Sequence, residues 1–361
     1  MKRNIIDSKA TLLDALGAIN ELSGQLMTLI VTGDDGRMVG TLTDGDIRRA
    51  LIAGRSLGAC VTCAMQRSFR YLDAGNIDVA ALASYRRKGI RMIPVLDADG
   101  RVVRVLDTSK QSTLLPVRAI VMAGGRGERL RPMTLTTPKP LLKVGDRAII
   151  DYNISMLADA GITDITVTTH YLAEQIEAHF AEAVCGVKVK CVREVSPLGT
   201  IGAVSLADIP ESGTTLVMNS DLLTTWSLEE MWLHHRATEA MLTVAAIPYT
   251  ISVPYAILET DRCMVRSFVE KPSYTHHANA GIYLIDNALL RQVRSDTRTD
   301  ATDLIESALA QKMRVSFFPI NGTWIDIGAP NDYARVQALM RYHSGNKQGV
   351  CMVQLMHILP K

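Results

Sequence analysis

The chain has 361 residues, 47% of them hydrophobic, and its charges nearly cancel at a net +2. At ~150 residues per domain that is two or three domains with ample core, which excludes a disordered chain and leaves no basic field for nucleic acid. Met1-Lys-Arg-Asn4 is not followed by the apolar stretch of a secretory signal, and no run approaches the ~18 apolar residues of a membrane span, so a cytoplasmic protein is expected.

The first third contains a repeat. A helical pattern on Leu12, Leu16 and Ile19 precedes a strand, a Gly turn and a second strand over residues 30–42. The same order returns 64 residues later, with Val79, Leu82 and Tyr85 ahead of residues 94–106, so that Asp99-Gly100-Arg101 repeats Asp35-Gly36-Arg37. Two α-β-β units of this kind resemble a paired cystathionine-β-synthase (CBS) domain over residues 1–115, a regulatory or dimerisation module. Gly40-Thr-Leu-Thr-Asp-Gly-Asp46 is similar to the ligand-binding segment of such repeats. The resemblance implies an adenosine nucleotide held by Thr43 and Asp46, and a homo-oligomer; Asp46 could equally cap the helix that follows it. The second repeat lacks the Gly, Thr and Asp. Cys60-Val-Thr-Cys63 has metal-like spacing, but no second Cys or His pair stands at a zinc-ribbon distance, and the expectation is thiols in a reducing compartment. The adjacent pairs His234-His235 and His276-His277 are likewise assigned no metal.

Beyond residue 117 the pattern alternates. A buried strand at 119–123 runs into a glycine-rich loop. There follow a helix at 149–160 stopped by Gly161, a strand at 164–168, a helix at 172–182, a strand at 187–192, a short helix at 200–207 and a strand at 214–219. A helix opened by a Ser227/Glu230 capping box comes next. Alternation of this kind implies a mostly parallel sheet covered on both faces, with ligands at the carboxyl ends of its strands. After Met241 strands dominate, and Asn321-Gly322 reads as a hairpin turn. Residues 344–361 form a linker and an apolar tail with no assigned role.

The glycine loop carries the most information. Gly124, Gly125 and Gly127 let backbone N–H groups approach an anion, and Arg126, Arg129, Arg131 and Lys139 supply positive charge. Neither a dinucleotide fingerprint nor a Walker loop fits: the third glycine of the former is replaced by Leu130, and no Gly-Lys-Ser/Thr is present. The plain alternative is a glycine turn with solvated arginines. The ordered string G-G-x-G-x-R-L-x-P-x-T followed by P-K-P-L-L resembles the signature of sugar-1-phosphate nucleotidyltransferases. Five further segments are similar to that family in the right order. They are Glu194-Val-Ser-Pro-Leu-Gly-Thr-Ile-Gly202 (Ile201 replacing a small residue), Val217-Met-Asn-Ser-Asp221, Phe268-Val-Glu-Lys-Pro272, Asn279-Ala-Gly-Ile-Tyr283, and Trp324-Ile-Asp326 with its continuation to Tyr333.

The resemblance implies a Rossmann-like, glycosyltransferase-A-like α/β domain over residues 117–343, and a nucleoside triphosphate and a sugar-1-phosphate as substrates. In-line attack of a sugar phosphate oxygen on the α-phosphorus, with pyrophosphate leaving, needs positioning and charge neutralisation more than a strong base. Mg²⁺ takes one or two carboxylates and completes its shell with phosphates and water, and the resemblance gives that pair to Asp221 and Asp326. It implies a nucleotide site of Ala123, Gly124, Gly125, Gly127, Pro197, Gly199 and Thr200. Arg129 and Lys139 would hold the β and γ phosphates. Lys271 would meet the sugar phosphate, Glu270 and Asn279 the sugar hydroxyls, and Tyr255 and Gly281 the same end of the site. Ala256 stands where the family has Gly after that Tyr, which leaves the sugar open.

The P-L-G-T-x-G segment and the fused CBS pair are most similar to bacterial guanylyltransferases of surface-sugar and lipopolysaccharide pathways. These include those making GDP-glucosamine for legionaminic acid. GTP and glucosamine-1-phosphate are therefore expected. The alternatives are a mannose- or heptose-1-phosphate guanylyltransferase, a uridylyl- or thymidylyltransferase acting on glucose-1-phosphate, and a catalytically silent nucleotide sensor.

Overall fold

A computed structural model describes residues 2–22 and 26–344. The expected linker and tail beyond Ser344 lie outside them. Contacts divide the chain into two compact units, residues up to 116 with 159–161, and residues 117–158 with 162 onward.

The first unit holds β1 (Ile5–Asp7), α1 (Leu12–Glu21), β2 (Thr28–Thr32), β3 (Met38–Thr43) and α2 (Asp44–Ile52), then β4 (Leu72–Asp73), α3 (Val79–Arg87), β5 (Met92–Leu96) and β6 (Val102–Asp107). The repeat read from the sequence is a repeat in space. Each half is a three-stranded sheet in which the first strand pairs parallel and the third antiparallel to the second. Leu12, Ala15 and Ile19 bury one face of α1 against Leu29, Val31 and Leu42, the helical and strand periods meeting in one core. Ile30, Met38, Met92 and Leu96 pack the halves together, and Met38 N donates to Gly100 O (2.9 Å) across the repeat.

The second unit begins with β7 (Arg118–Met122), the short β8 (Lys143–Val144) and β9 (Arg147–Ala148), α4 (Ile149–Asp159), β10 (Ile165–Thr169), α5 (Ala173–His179), β11 (Val189–Arg193) and β12 (Thr214–Asn219). It continues through β13 (Leu222–Thr224), α6 (Leu228–Ala237), β14 (Leu242–Ser252), β15 (Ile257–Asp261), β16 (Met264–Val269) and β17 (Ser273–Asp286). It closes with α7 (Asn287–Leu290), α8 (Ala301–Ala310), β18 (Val315–Pro319), β19 (Trp324–Asp326) and α9 (Pro330–Ser344). Seven strands form one sheet in the order β11-β10-β7-β12-β17-β14-β18, and β17 alone runs against the rest. The adjacent strands β7 and β12 carry apolar runs (residues 119–122 and 216–218) as strands buried on both faces do, and all five residues of β10 are buried although three of them are threonines. The expected short helix after Gly199 is a 3₁₀ turn, Gly202–Leu206, and Ile201 is fully buried in the core with Val217 and Ile285.

Asn321-Gly322 does not make a hairpin. β18 pairs with β14, whereas β19 turns away to pair antiparallel with β13. Thr225 fixes that turn: its N–H donates to Thr323 O and its Oγ1 accepts from Thr323 N, both at 3.0 Å. The local turn signal yields to a long-range pairing that carries Asp326 to the end of β12.

Ser227 Oγ accepts from Glu230 N (3.2 Å) and starts α6, which buries His235 against β14. The imidazole is 3% exposed and its Nδ1 lies 2.8 Å from Thr243 Oγ1. Burial, with the Arg236 charge beside it and against the pull of Asp286, pushes its pKa from 6.5 down to about 4. A histidine kept neutral by the fold stabilises it above its unfolded pKa, and that stability is lost as pH falls from 6.5 toward 4. Between pH 7.5 and 5 the loss is about 2 kcal/mol. Urea unfolding of the wild type and His235→Gln is expected to show a shallower acid-side decline in the variant. Parallel pH profiles would count against a neutral buried His235.

Candidate active site

The loop after β7 and the turn after β12 lie side by side at the carboxyl ends of two adjacent parallel strands. A cavity of about 650 Å³ opens there. Ala123, Gly124, Gly125, Gly127, Arg129, Lys139, Pro197, Gly199, Thr200 and Asp221 of the expected site line it.

Local sequence explains the shape of its floor. Gly127 sits at φ 59°, and a Cβ there would stand 3.0 Å from Thr134 and 3.1 Å from Lys139. Only glycine adopts that backbone freely while letting the basic segment fold under the loop. The buried Thr134 returns the contact, its Oγ1 donating to Gly127 O (2.8 Å). Lys139 follows at the start of a 3₁₀ turn with its stem buried.

Asp221 and Asp326 arrive from opposite directions. The β13–β19 pairing sets Leu222 opposite Asp326, Ile327 N donates to Asp221 O (3.1 Å), and the buried Asn153 side chain donates to Ser220 O (3.0 Å). Both carboxylates face the Lys139 ammonium. It is ion-paired with Asp221 and lies 3.7 Å from Asp326 Oδ1. Burial, and then the Asp221 charge, raise the pKa of Asp326, against Lys139 and Arg129. Gly328 brings its backbone against both the Arg129 guanidinium and the Asp326 carboxylate.

One oxygen of each acid, Asp221 Oδ1 and Asp326 Oδ1, is buried without a hydrogen-bond partner. Orphaned acceptors of this kind fit a hard cation. No group of three or more His, Cys, Asp or Glu side chains suited to a metal occurs among the described residues. Two carboxylates with substrate phosphates and water completing the shell is the arrangement Mg²⁺ commonly takes.

The other end of the expected site is less assembled. Tyr255, Glu270 and Lys271 lie on an arm made by the outer halves of β14 and β17 with the β15–β16 hairpin. They are exposed and do not line the cavity, and Lys271 pairs only loosely with Glu270 at 4.0 Å. Asn279 and Gly281 sit at the root of that arm. Asn279 Oδ1 accepts from Gly281 N (2.9 Å), and Gly281 packs against Asn219, which does line the cavity.

The cavity residues not singled out as site residues from the sequence include Glu194, His170, Arg298 and Asp300. Glu194 opens the segment quoted above and is buried. Its Oε2 accepts from Leu198 N (3.0 Å), and its Oε1 lies so close to Gly124 that a Cβ there would meet it at 2.5 Å. His170 lies beside it, Nδ1 3.2 Å from Glu194 O. Arg298 and Asp300 reach the cavity from the start of α8. Glu194 could have been found from its place in the motif. The others carry no local signal.

In the first unit, Thr43 and Asp46 form a capping box at the start of α2. The Asp46 carboxylate is buried and bonded to Thr43, Arg49 and Gln66. A separate cavity of about 550 Å³ is lined by Thr28, Thr41, Gln66, Ser68, Arg70 and Arg91 among others, and not by Thr43 or Asp46. None of the five described cysteines is paired, and no described helix is long and apolar enough to cross a membrane.

Residues 3–53 match the CBS domain family. The chain is 33% identical over 231 residues to "Probable mannose-1-phosphate guanylyltransferase 2" of Arabidopsis thaliana, and 31% identical over 227 residues to mannose-1-phosphate guanyltransferase of Candida albicans. These matches cover 60% of this chain and 63% and 62% of those proteins. The chain therefore spans less than two thirds of the length of these relatives. A solved structure from Bacillus anthracis, whose name assigns it provisionally to glucose-1-phosphate thymidylyltransferases, shares the fold. Its TM-score is 0.51 at 21% identity, over 66% of this chain and 99% of that one. Residues 118–342 match the nucleotidyl transferase family, which is more than half of the chain, and to that family this protein belongs.

Proposed function

We propose that the protein transfers a nucleotidyl group from GTP to a hexose-1-phosphate, giving a nucleoside-diphosphate sugar and pyrophosphate. The observation that carries this reading is the pair of facing carboxylates with orphaned oxygens, beside a glycine loop and two buried or cavity-lining cations. A phosphate oxygen of the sugar forms a bond to the α-phosphorus as the bond to the β-phosphate oxygen breaks. The loop amides and Arg129 hold the departing pyrophosphate, Lys139 offsets charge between the two acids, and Asp221 and Asp326 hold Mg²⁺. When bound, the Mg²⁺ supplies positive charge to the phosphate oxygens. Glu270, Lys271, Asn279, Gly281 and Tyr255 are assigned to the sugar phosphate. Residues 1–115 form the regulatory and self-associating module and residues 117–343 the catalytic one.

Replacing Asp221 or Asp326 by Asn keeps the shape and removes a charge. Pyrophosphate release from GTP and a hexose-1-phosphate is expected to fall by about 100-fold or more, with circular dichroism unchanged. Normal turnover in both variants would rule out the metal pair.

Support for guanine comes from Glu194. A carboxylate only accepts hydrogen bonds, and the edge of guanine offers two adjacent donors, N1–H and N2–H₂, whereas uracil and thymine offer one donor between two acceptors. Glu194 has one oxygen committed to Leu198 and the other free at the cavity wall. GTP is expected to be the best substrate among the common triphosphates, and Glu194→Gln to lower GTP use by about 10-fold or more relative to UTP. A panel against mannose-, glucosamine- and glucose-1-phosphate reads both base and sugar. Mannose is the sugar named in the two relatives and glucosamine the one expected from the sequence. Preference for UTP or dTTP in the wild type would overturn the guanine reading.

In the CBS unit, the ligand we propose is an adenosine nucleotide in the cavity lined by Arg70 and Arg91, since Thr43 and Asp46 are engaged by α2. Calorimetry with AMP and ATP is expected to show binding that Arg70→Ala weakens about 10-fold. Undiminished binding in that variant would place the ligand elsewhere.

A further inference from the structure

We propose that Asp300 is a positioning residue for the nucleotide end of the cavity, holding the wall at residues 198–202 in place from a helix a hundred residues away. The proposal rests on the reading of that wall as the nucleotide site.

The wall has little structure of its own. Gly199 lies at φ 87°, and a Cβ there would stand 2.5 Å from Thr299 O, so the wall lies directly on the segment before α8. Three backbone bonds join them. Thr299 N donates to Leu198 O (2.8 Å), and Ile201 N and Gly202 N both donate to Thr299 O (3.1 Å each). These would survive any side-chain change. Two more bonds involve side chains: Thr200 N donates to Asp300 Oδ1 (2.8 Å), and Ala301 N donates to Thr200 Oγ1 (2.8 Å).

Thr200 lines the cavity, and its backbone N–H is held by the Asp300 carboxylate alone. The second carboxylate oxygen lies 3.5 Å from the Arg298 guanidinium, which also lines the cavity. One acid thus ties the wall to a cation on the opposite segment. Asp300 also begins α8, where its own N–H donates to Asp303 Oδ2 (2.7 Å). Capping and positioning share one residue, but they can be separated. Asp303 belongs to the cap only.

Isothermal titration of GTP with Mg²⁺ is the test, on the full chain. Asp300→Ala is expected to weaken GTP about 10-fold, a typical cost of losing one hydrogen bond to a charged group, with kcat at saturation within about twofold and the KM for sugar-1-phosphate unmoved. Asp300→Asn keeps an acceptor oxygen and is expected to restore GTP affinity to within about threefold. Asp303→Ala weakens the start of α8, so its melting temperature falls while GTP affinity stays at the wild-type value. Equal GTP affinity in Asp300→Ala and wild type overturns the proposal and leaves the nucleotide site standing, as does an equal loss in Asp303→Ala. No GTP binding by the wild type overturns both the proposal and the guanine reading.

Discussion

Two carboxylates do not share a half-buried place without a cation, and most of the second unit is arranged around that fact. Burial and the Asp221 charge raise the cost of ionising Asp326, and Lys139 is the charge that offsets it. Removing one partner from a buried ion pair costs about 3–5 kcal/mol, so the lysine is a structural requirement of the acid pair. Its buried stem explains why the segment bearing it is fixed by prolines on either side. The turn can hold an ammonium at one point only if its backbone has little freedom.

That constraint dictates topology. Asp221 comes with β12 as the natural end of a parallel strand, but nothing in an alternating α/β pattern delivers a second carboxylate to the same place. The chain solves this by reversing β17, returning through α8 and β18, and laying β19 against β13. The indole of Trp324 then anchors the return, its Nε1–H donating to Ala280 O (3.0 Å) on β17. The site is therefore built from the first and last segments of the unit at once, and it exists only when the whole unit is folded.

What could be read in the sequence follows from range. β12 is legible because an apolar run between Gly213 and Asp221 admits few other conformations. The repeat of the first unit is legible because both copies keep the same turn residues. Glycine-loop positions are legible because backbone that must approach closely excludes side chains. Asn321-Gly322 misled because a turn signal says that the chain bends and not which strand it meets afterwards. Asp300 and Arg298 were missed for a related reason. Thr200, the partner of Asp300, is a hundred residues away, Arg298 reaches the cavity beside that acid, and an aspartate ahead of a helix reads as a cap whether or not its carboxylate also serves another segment. Tyr255, Glu270 and Lys271 carry motif signals as clear as Lys139 does, yet lie exposed on an arm, since a motif fixes residue types and not the packing that would bring them to the cavity.

The first unit shows the same ambiguity resolved in the other direction. Thr43 and Asp46 satisfy two readings of one pattern, a ligand contact and a capping box, because both need a hydroxyl and a carboxylate three residues apart. The geometry spends them on the box: every described hydrogen bond of Asp46 goes to Thr43, Arg49 or Gln66. Gln66 is then the informative residue. It bonds Asp46 on one side, pairs its backbone with Thr41 on the other, and lines the cavity. The capping acid is thus one hydrogen bond away from any ligand that enters there. Asp46 touches the cavity's lining through Gln66, whereas Arg70 and Arg91 line it directly, so one pattern of hydroxyl and carboxylate serves the helix start and the cavity wall is left to other residues.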